Sequence, residues 1–207
     1  MSEFKVNTIT NRDGSYGPQV CGITTFGSSG MQLPSGPTEF RGGRGRGIFF
    51  GGDPADPGNM TLVEIATKGD GSDFGNLANN LANCKGCASS TRGLIMGGGT
   101  PSLVSLIQGV TISSQGGVFN FGDLTEARND TQAVANNVRG ISAGGNNPAK
   151  QTGIEFVTIA SAGDGTGFGD LTVKRSMGGG SGDATRGIIM GGGSGTNPAS
   201  GEEKSID

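Results

Sequence analysis

Phe74-Gly75-Asn76-Leu77, Phe121-Gly122-Asp123-Leu124 and Phe168-Gly169-Asp170-Leu171 stand 47 residues apart. A second block keeps pace with them: Arg46-Gly47, Arg92-Gly93, Arg139-Gly140 and Arg186-Gly187, each followed by mostly apolar residues and a glycine pair. A fixed period of this size means one supersecondary unit repeated, and such a unit cannot bury its apolar face alone. Repeats of this kind build extended surfaces for binding more readily than sites for chemistry.

The units read as short strands. Ile48/Phe50, Leu94/Met96, Ile141/Ala143 and Ile188/Met190 alternate with other residues, which predicts one apolar face on a strand. Val63/Ile65, Val110/Ile112 and Val157/Ile159 predict a second strand, ending near Gly69, Gly116 and Gly163. After each Phe block, Thr125–Arg128 and Thr172–Arg175 are expected to form a third. Loops rich in Ser, Gly, Asn and Asp separate these runs, and no stretch has a helical period. The expected fold is all-β. Full repeats cover about 46–91, 92–138 and 139–185. A composite unit is expected from 26–45 and 186–207, because Phe26-Gly27 precedes Arg46 much as the other Phe blocks precede theirs. Its closure would remove open sheet edges; without it, another chain should cover them.

Composition removes several classes of function. Glycine supplies 43 of 207 residues without a Gly-X-Y period, which excludes collagen and assigns glycine to turns and close approaches. The charge balance is 15 basic to 18 acidic residues, so the whole chain offers nothing to nucleic acid or anionic lipid. No apolar run approaches a membrane span, and Met1-Ser2-Glu3-Phe4-Lys5 has no apolar signal core, so export is not expected. There is no His, which removes the commonest metal ligand and general base together. No catalytic residue, cofactor or metal is expected.

The remaining motifs have plain structural readings. Cys84-Lys85-Gly86-Cys87 allows loop thiols, a local disulfide or half a metal site. Further ligands would have to come from Cys21 and carboxylates, so loop thiols are the preferred reading. Arg41-Gly42-Gly43-Arg44-Gly45-Arg46-Gly47 has the form of an RNA-binding tract, but its last Arg-Gly belongs to the repeat. Arg46, Arg92, Arg139 and Arg186 could ring an anion or glycan; capping loop carbonyls between units uses the same fork of donors and is preferred. Asp70, Asp73, Asp164 and Asp170 offer oxygen ligands to calcium, without carboxylates recurring in register. Asp123 and Asp170 are repeat positions of the Phe block.

The order glycine pair, aromatic, Leu, Arg, carried by Gly144-Gly145, Phe168, Leu171 and Arg175, resembles the kelch pattern of β-propellers. Two departures are Phe in place of the usual Trp and Leu81 where Arg128 and Arg175 stand. The resemblance implies a kelch-like β-propeller of about four short blades with an extended N-terminal arm. A closer resemblance runs from Phe4-Lys5-Val6-Asn7-Thr8-Ile9-Thr10-Asn11-Arg12-Asp13-Gly14-Ser15 through Phe26. It continues in Met31-Gln32-Leu33-Pro34-Ser35-Gly36-Pro37-Thr38, the Arg-Gly tract and the Phe-Gly-Asp-Leu-Thr repeats. In these the chain is similar to virion structural proteins of tailed phages of marine bacteria, including cyanophages. That implies a non-enzymatic particle protein, made in the host cytoplasm and resident in the virion on head or tail.

Residues 1–25 lie outside the repeat and read either as an arm or as an ordinary strand of the same domain. As an arm, Val6, Ile9, Arg12 and Ile23 would dock on other capsid or tail proteins, with a homo-oligomer also open. The alternative function is an adhesin or tail-fibre component reading host glycans, for which the chain offers few aromatics: no Trp and one Tyr, Tyr16.

Overall fold

The computed structural model describes residues 45–51, 58–65, 67–99 and 101–197, with side chains to 194, and the backbone of 24–25, 31–32 and 200–202. The chain divides into two compact units, 1–40 and 41–207. In the first, β1 (Thr24–Thr25) pairs antiparallel with β2 (Met31–Gln32). Val6, Ile9, Arg12, Cys21 and Ile23 lie outside the described residues.

The second unit is all-β, and every sheet is antiparallel. Sheet I contains β3 (Arg46–Phe49), β4 (Asn59–Glu64) and β5 (Ser72–Asn76) in that order. Sheet II runs β6 (Lys85–Ala88), β7 (Arg92–Met96), β8 (Leu106–Thr111), β9 (Phe119–Asp123). Sheet III repeats it with β10 (Gln132–Ala135), β11 (Arg139–Ala143), β14 (Gly153–Thr158) and β15 (Thr166–Asp170). The small hairpin β12 (Asn146–Asn147) and β13 (Ala149–Lys150) interrupts it. Sheet IV begins with β16 (Gly179–Gly182) and β17 (Gly187–Met190), followed by a hairpin of β18 (Gly193–Asn197) and β19 (Ser200–Glu202).

Local chemistry explains the turns. Between first and second strands the oxygen of Ser89, Asn136 or Asp183 accepts from the two amides ending at Arg92, Arg139 or Arg186. These are Asx-type turns, and they place the Arg at the head of each second strand. The exposed Asp183 carboxyl is held below its usual range, first by the Thr185 and then by the Arg186 amide. The glycine pairs follow each second strand. Gly144 has φ 60° and Gly145 φ 96°, and a Cβ on Gly144 would lie 2.5 Å from the Arg175 carbonyl. Only glycine fits both demands. Each third strand carries a register shift at the same repeat position, after Met60, Ile107 and Ile154.

Three apolar seams join the sheets. The first contains Met60, Leu62, Phe74, Leu77 and Leu81 of sheet I and its connection, with Ile95 and Val110 of sheet II. The second sets Leu94, Met96, Ile107, Phe121 and Leu124 against Val157 and Ile159. The third sets Val134, Ala143 and Leu171 against Ile189. Each large side chain buried there stabilises by roughly 1.5–3 kcal/mol relative to exposure.

The structure corrects two sequence expectations. Thr125–Arg128 and Thr172–Arg175 are not strands; the Phe block itself is the outer strand, and these residues are the bends leading away from it. The single apolar face expected of Ile48/Phe50, Leu94/Met96, Ile141/Ala143 and Ile188/Met190 is also incomplete. Leu94, Ile95 and Met96 are all buried, because sheet II has a neighbour on each side. In sheet IV the alternation is reversed: Ile189 is buried while Ile188 and Met190 are exposed.

One residue breaks a local rule. Asn83 (φ 57°), Asp130 (φ 54°) and Met177 (φ 61°) occupy the same left-handed repeat position. Asn and Asp tolerate that region, whereas an ordinary side chain there costs roughly 1–2 kcal/mol. Met177 is also exposed. Met177→Asn should therefore stabilise the protein by about 1 kcal/mol, read as a higher urea midpoint with an unchanged slope.

Candidate interaction surface

The repeated polar residues converge on the seams. Arg46 Nη1 donates to the Ile112 carbonyl at 2.9 Å, and Arg92 Nη1 to the Ile159 and Ala160 carbonyls at 3.0 and 2.8 Å. Each guanidinium thus reaches the end of the third strand in the next sheet. Arg46 also bonds Glu64 at 3.0 Å, and the Arg139 guanidinium lies 4.6 Å from the Phe156 ring centre. Arg186 immediately precedes β17 and is exposed.

The Phe block serves the same contact. Its strand accepts the turn of the following sheet: Gly116 N donates to the Phe74 carbonyl and Gly163 N to the Phe121 carbonyl. A Cβ on Gly75 would lie 2.5 Å from the Gly116 carbonyl, and one on Gly122 closer still to that of Gly163. The block's Asp holds the start of the third strand, Asp123 accepting from Ser105 Oγ and Asp170 from Thr152 Oγ1, both at 2.8 Å. Phe74 and Phe121 are each 2% exposed; Phe168 is 54% exposed, and nothing lies within 4 Å of a Cβ built on Gly169.

A buried ion pair distinguishes one seam from the seam before it. Arg128 Nη2 pairs with Glu155, whose other carboxylate oxygen accepts from Thr125 N at 2.7 Å. Arg128 Nη1 also donates to the Gly144 and Gly153 carbonyls. Burial pushes the Arg128 pKa down, with Glu126 opposing it. One period earlier, Leu81 and Gln108 stand at these positions, and Gln108 Oε1 accepts from Ala78 N at 2.8 Å. The amide bond is kept and the charge removed from both partners at once. A single repeat gives no hint of that exchange; comparing two positions across repeats reveals it.

Three of the four carboxylates weighed for calcium, those of Asp73, Asp164 and Asp170, accept hydrogen bonds within the fold. Asp73 accepts from Gly75 N, and Asp164 from Asp123 N, each at 3.0 Å. Among the described residues no group of three or more His, Cys, Asp or Glu is placed to hold a metal.

Cys84 and Cys87 are free thiols. Three residues of extended chain span about 10 Å, beyond the reach of a disulfide. Burial raises both, Cys87 to about 12, although part of the Cys87 residue reaches solvent. The raised value keeps Cys87 protonated in the fold. Its contribution is complete below the ordinary thiol value of 9.0 and is lost as pH climbs toward 12. Both should label slowly with a thiol reagent at pH 8 and fast in urea; fast native labelling of Cys87 would contradict its burial.

A cavity of about 320 Å³ lies between sheets I and II, lined by Ile48, Phe50, Gly93, Ile95, Val110 and Ile112 among others. It sits beside β3, before which no first strand stands among the described residues, whereas β6, β10 and β16 precede the matching strands.

No family model matches the chain, and no curated protein is significantly similar to it.

Proposed function

We propose that the chain is a non-enzymatic structural protein of a phage particle. It contributes about four short blades of a kelch-like propeller and attaches through residues 1–25 to capsid or tail proteins. The observation that carries the reading is how the repeat spends its polar groups. Arg46, Arg92, Asp123, Arg128 and Glu155 all bond within or between sheets, giving rigidity where an enzyme would keep reactive groups open. The resemblance of residues 4–47 and the Phe-Gly-Asp-Leu-Thr blocks to virion proteins supplies the location. Peptides of this chain should be found by mass spectrometry in purified particles, and deletion of residues 1–25 should remove them. Their absence from wild-type particles would end the proposal.

A second reading is a glycan-binding adhesin. It draws on the exposed rings of Phe49 and Phe168, since sugars stack on open aromatic faces. A glycan array without a hit removes it.

A further inference from the structure

Sheets I to IV stack in series, and each has two different faces. The forward face of a sheet meets the next one through positions such as Leu94 and Met96; the rear face meets the previous one through Ile95, Val110 and Ile159. At the ends of the series these faces have no neighbour among the described residues. The rear-face residues Phe49 and Ile65 of sheet I are 64% and 70% exposed, whereas Ile112 and Ile159, one and two periods after Ile65, are 6% and 1%. Ile188 and Met190, which follow Leu94 and Met96 by two periods, are exposed on the forward face of sheet IV. Both sets of residues belong to the same compact unit and are exposed.

We propose that these two faces bind each other between copies, head to tail. Phe49 and Ile65 of one copy pack on Ile188 and Met190 of the next, continuing the seams already present inside the chain. The repeat also assigns a polar contact. Arg46 caps the carbonyl of Ile112 and Arg92 that of Ile159, so Arg186 caps the carbonyl of Ile65 in the adjoining copy. Because the two faces differ, the joint is heterologous and produces a ring or a filament. Radial arrays of sheets commonly close at four to eight. With four sheets per chain, a dimer is the smallest closed product. The joint is a property of the sheet stack and holds whether or not the protein belongs to a particle.

Light scattering on the full chain tests it. The wild type should show a mass above the 20.6 kDa of one chain, falling on dilution. Ile188→Asp and Ile65→Asp should each be monomeric with an unchanged far-UV spectrum, since both sites are exposed. Mixed, they should form a one-to-one complex, each supplying the face the other lacks. That complex holds one joint instead of two and should dissociate at least about tenfold more readily than the wild type. Phe49→Asp is the second rear-face variant should Ile65→Asp misfold. A wild type that stays monomeric at every concentration overturns the proposal. So does an Ile188→Asp chain that associates like wild type, or a mixture of the two variants that stays monomeric.

Discussion

Arg128→Leu alone should destabilise the protein by about 3–5 kcal/mol, because it strands the Glu155 carboxylate in a buried seam. Adding Glu155→Gln should return at least about half of that loss. The double variant recreates the combination of Leu81 and Gln108 one period earlier, where Leu81 packs in the apolar seam and Gln108 still accepts the Ala78 amide. Glu155→Gln alone should cost less than Arg128→Leu alone, since Arg128 keeps the Gly144 and Gly153 carbonyls. Urea melts of the four proteins give the coupling directly. Additive losses in the double variant would mean that the two groups act independently, against the observed pairing.

Gly122→Ala should cost about 2–5 kcal/mol, combining backbone strain at φ 155° with a Cβ driven into the Gly163 carbonyl of the next sheet. Gly169→Ala is the internal control. Its φ is also 155°, but nothing lies within 4 Å of its Cβ, so only the strain of about 1–2 kcal/mol remains. The difference between the two melts measures the packing of one sheet on another. Equal losses would mean that the contact at Gly163 yields easily.

The 47-residue register made the second and third strands legible, because Leu94 and Val110 are side chains whose burial needs a fixed spacing, while the outer strand was expected after the Phe block and lies within it. The first strands were not legible. Lys85–Ala88 and Gly179–Gly182 carry no apolar alternation, and Gly180 is held by close approach to the Ala133 carbonyl. Backbone contact of that kind leaves only glycine as its trace, and glycine also marks turns. The Arg positions were legible as repeat features, but their acceptors were not: Ile112 and Ile159 offer main-chain carbonyls, which any residue would supply equally. The Arg128–Glu155 pair was half legible, through the substitution at Leu81.

The seams also fix how the molecule comes apart. Each sheet draws its protection against solvent from the neighbours on its two faces, so opening follows a gradient along the chain. Amides of β7 and β8, with sheets on both sides, exchange their hydrogens slowest and report the global unfolding of the unit. Those of β16 and β17, with one described neighbour and four small residues in the leading strand, exchange first. A protease that samples open states would therefore trim the stack from its end sheets inward, the glycine-rich sheet IV first.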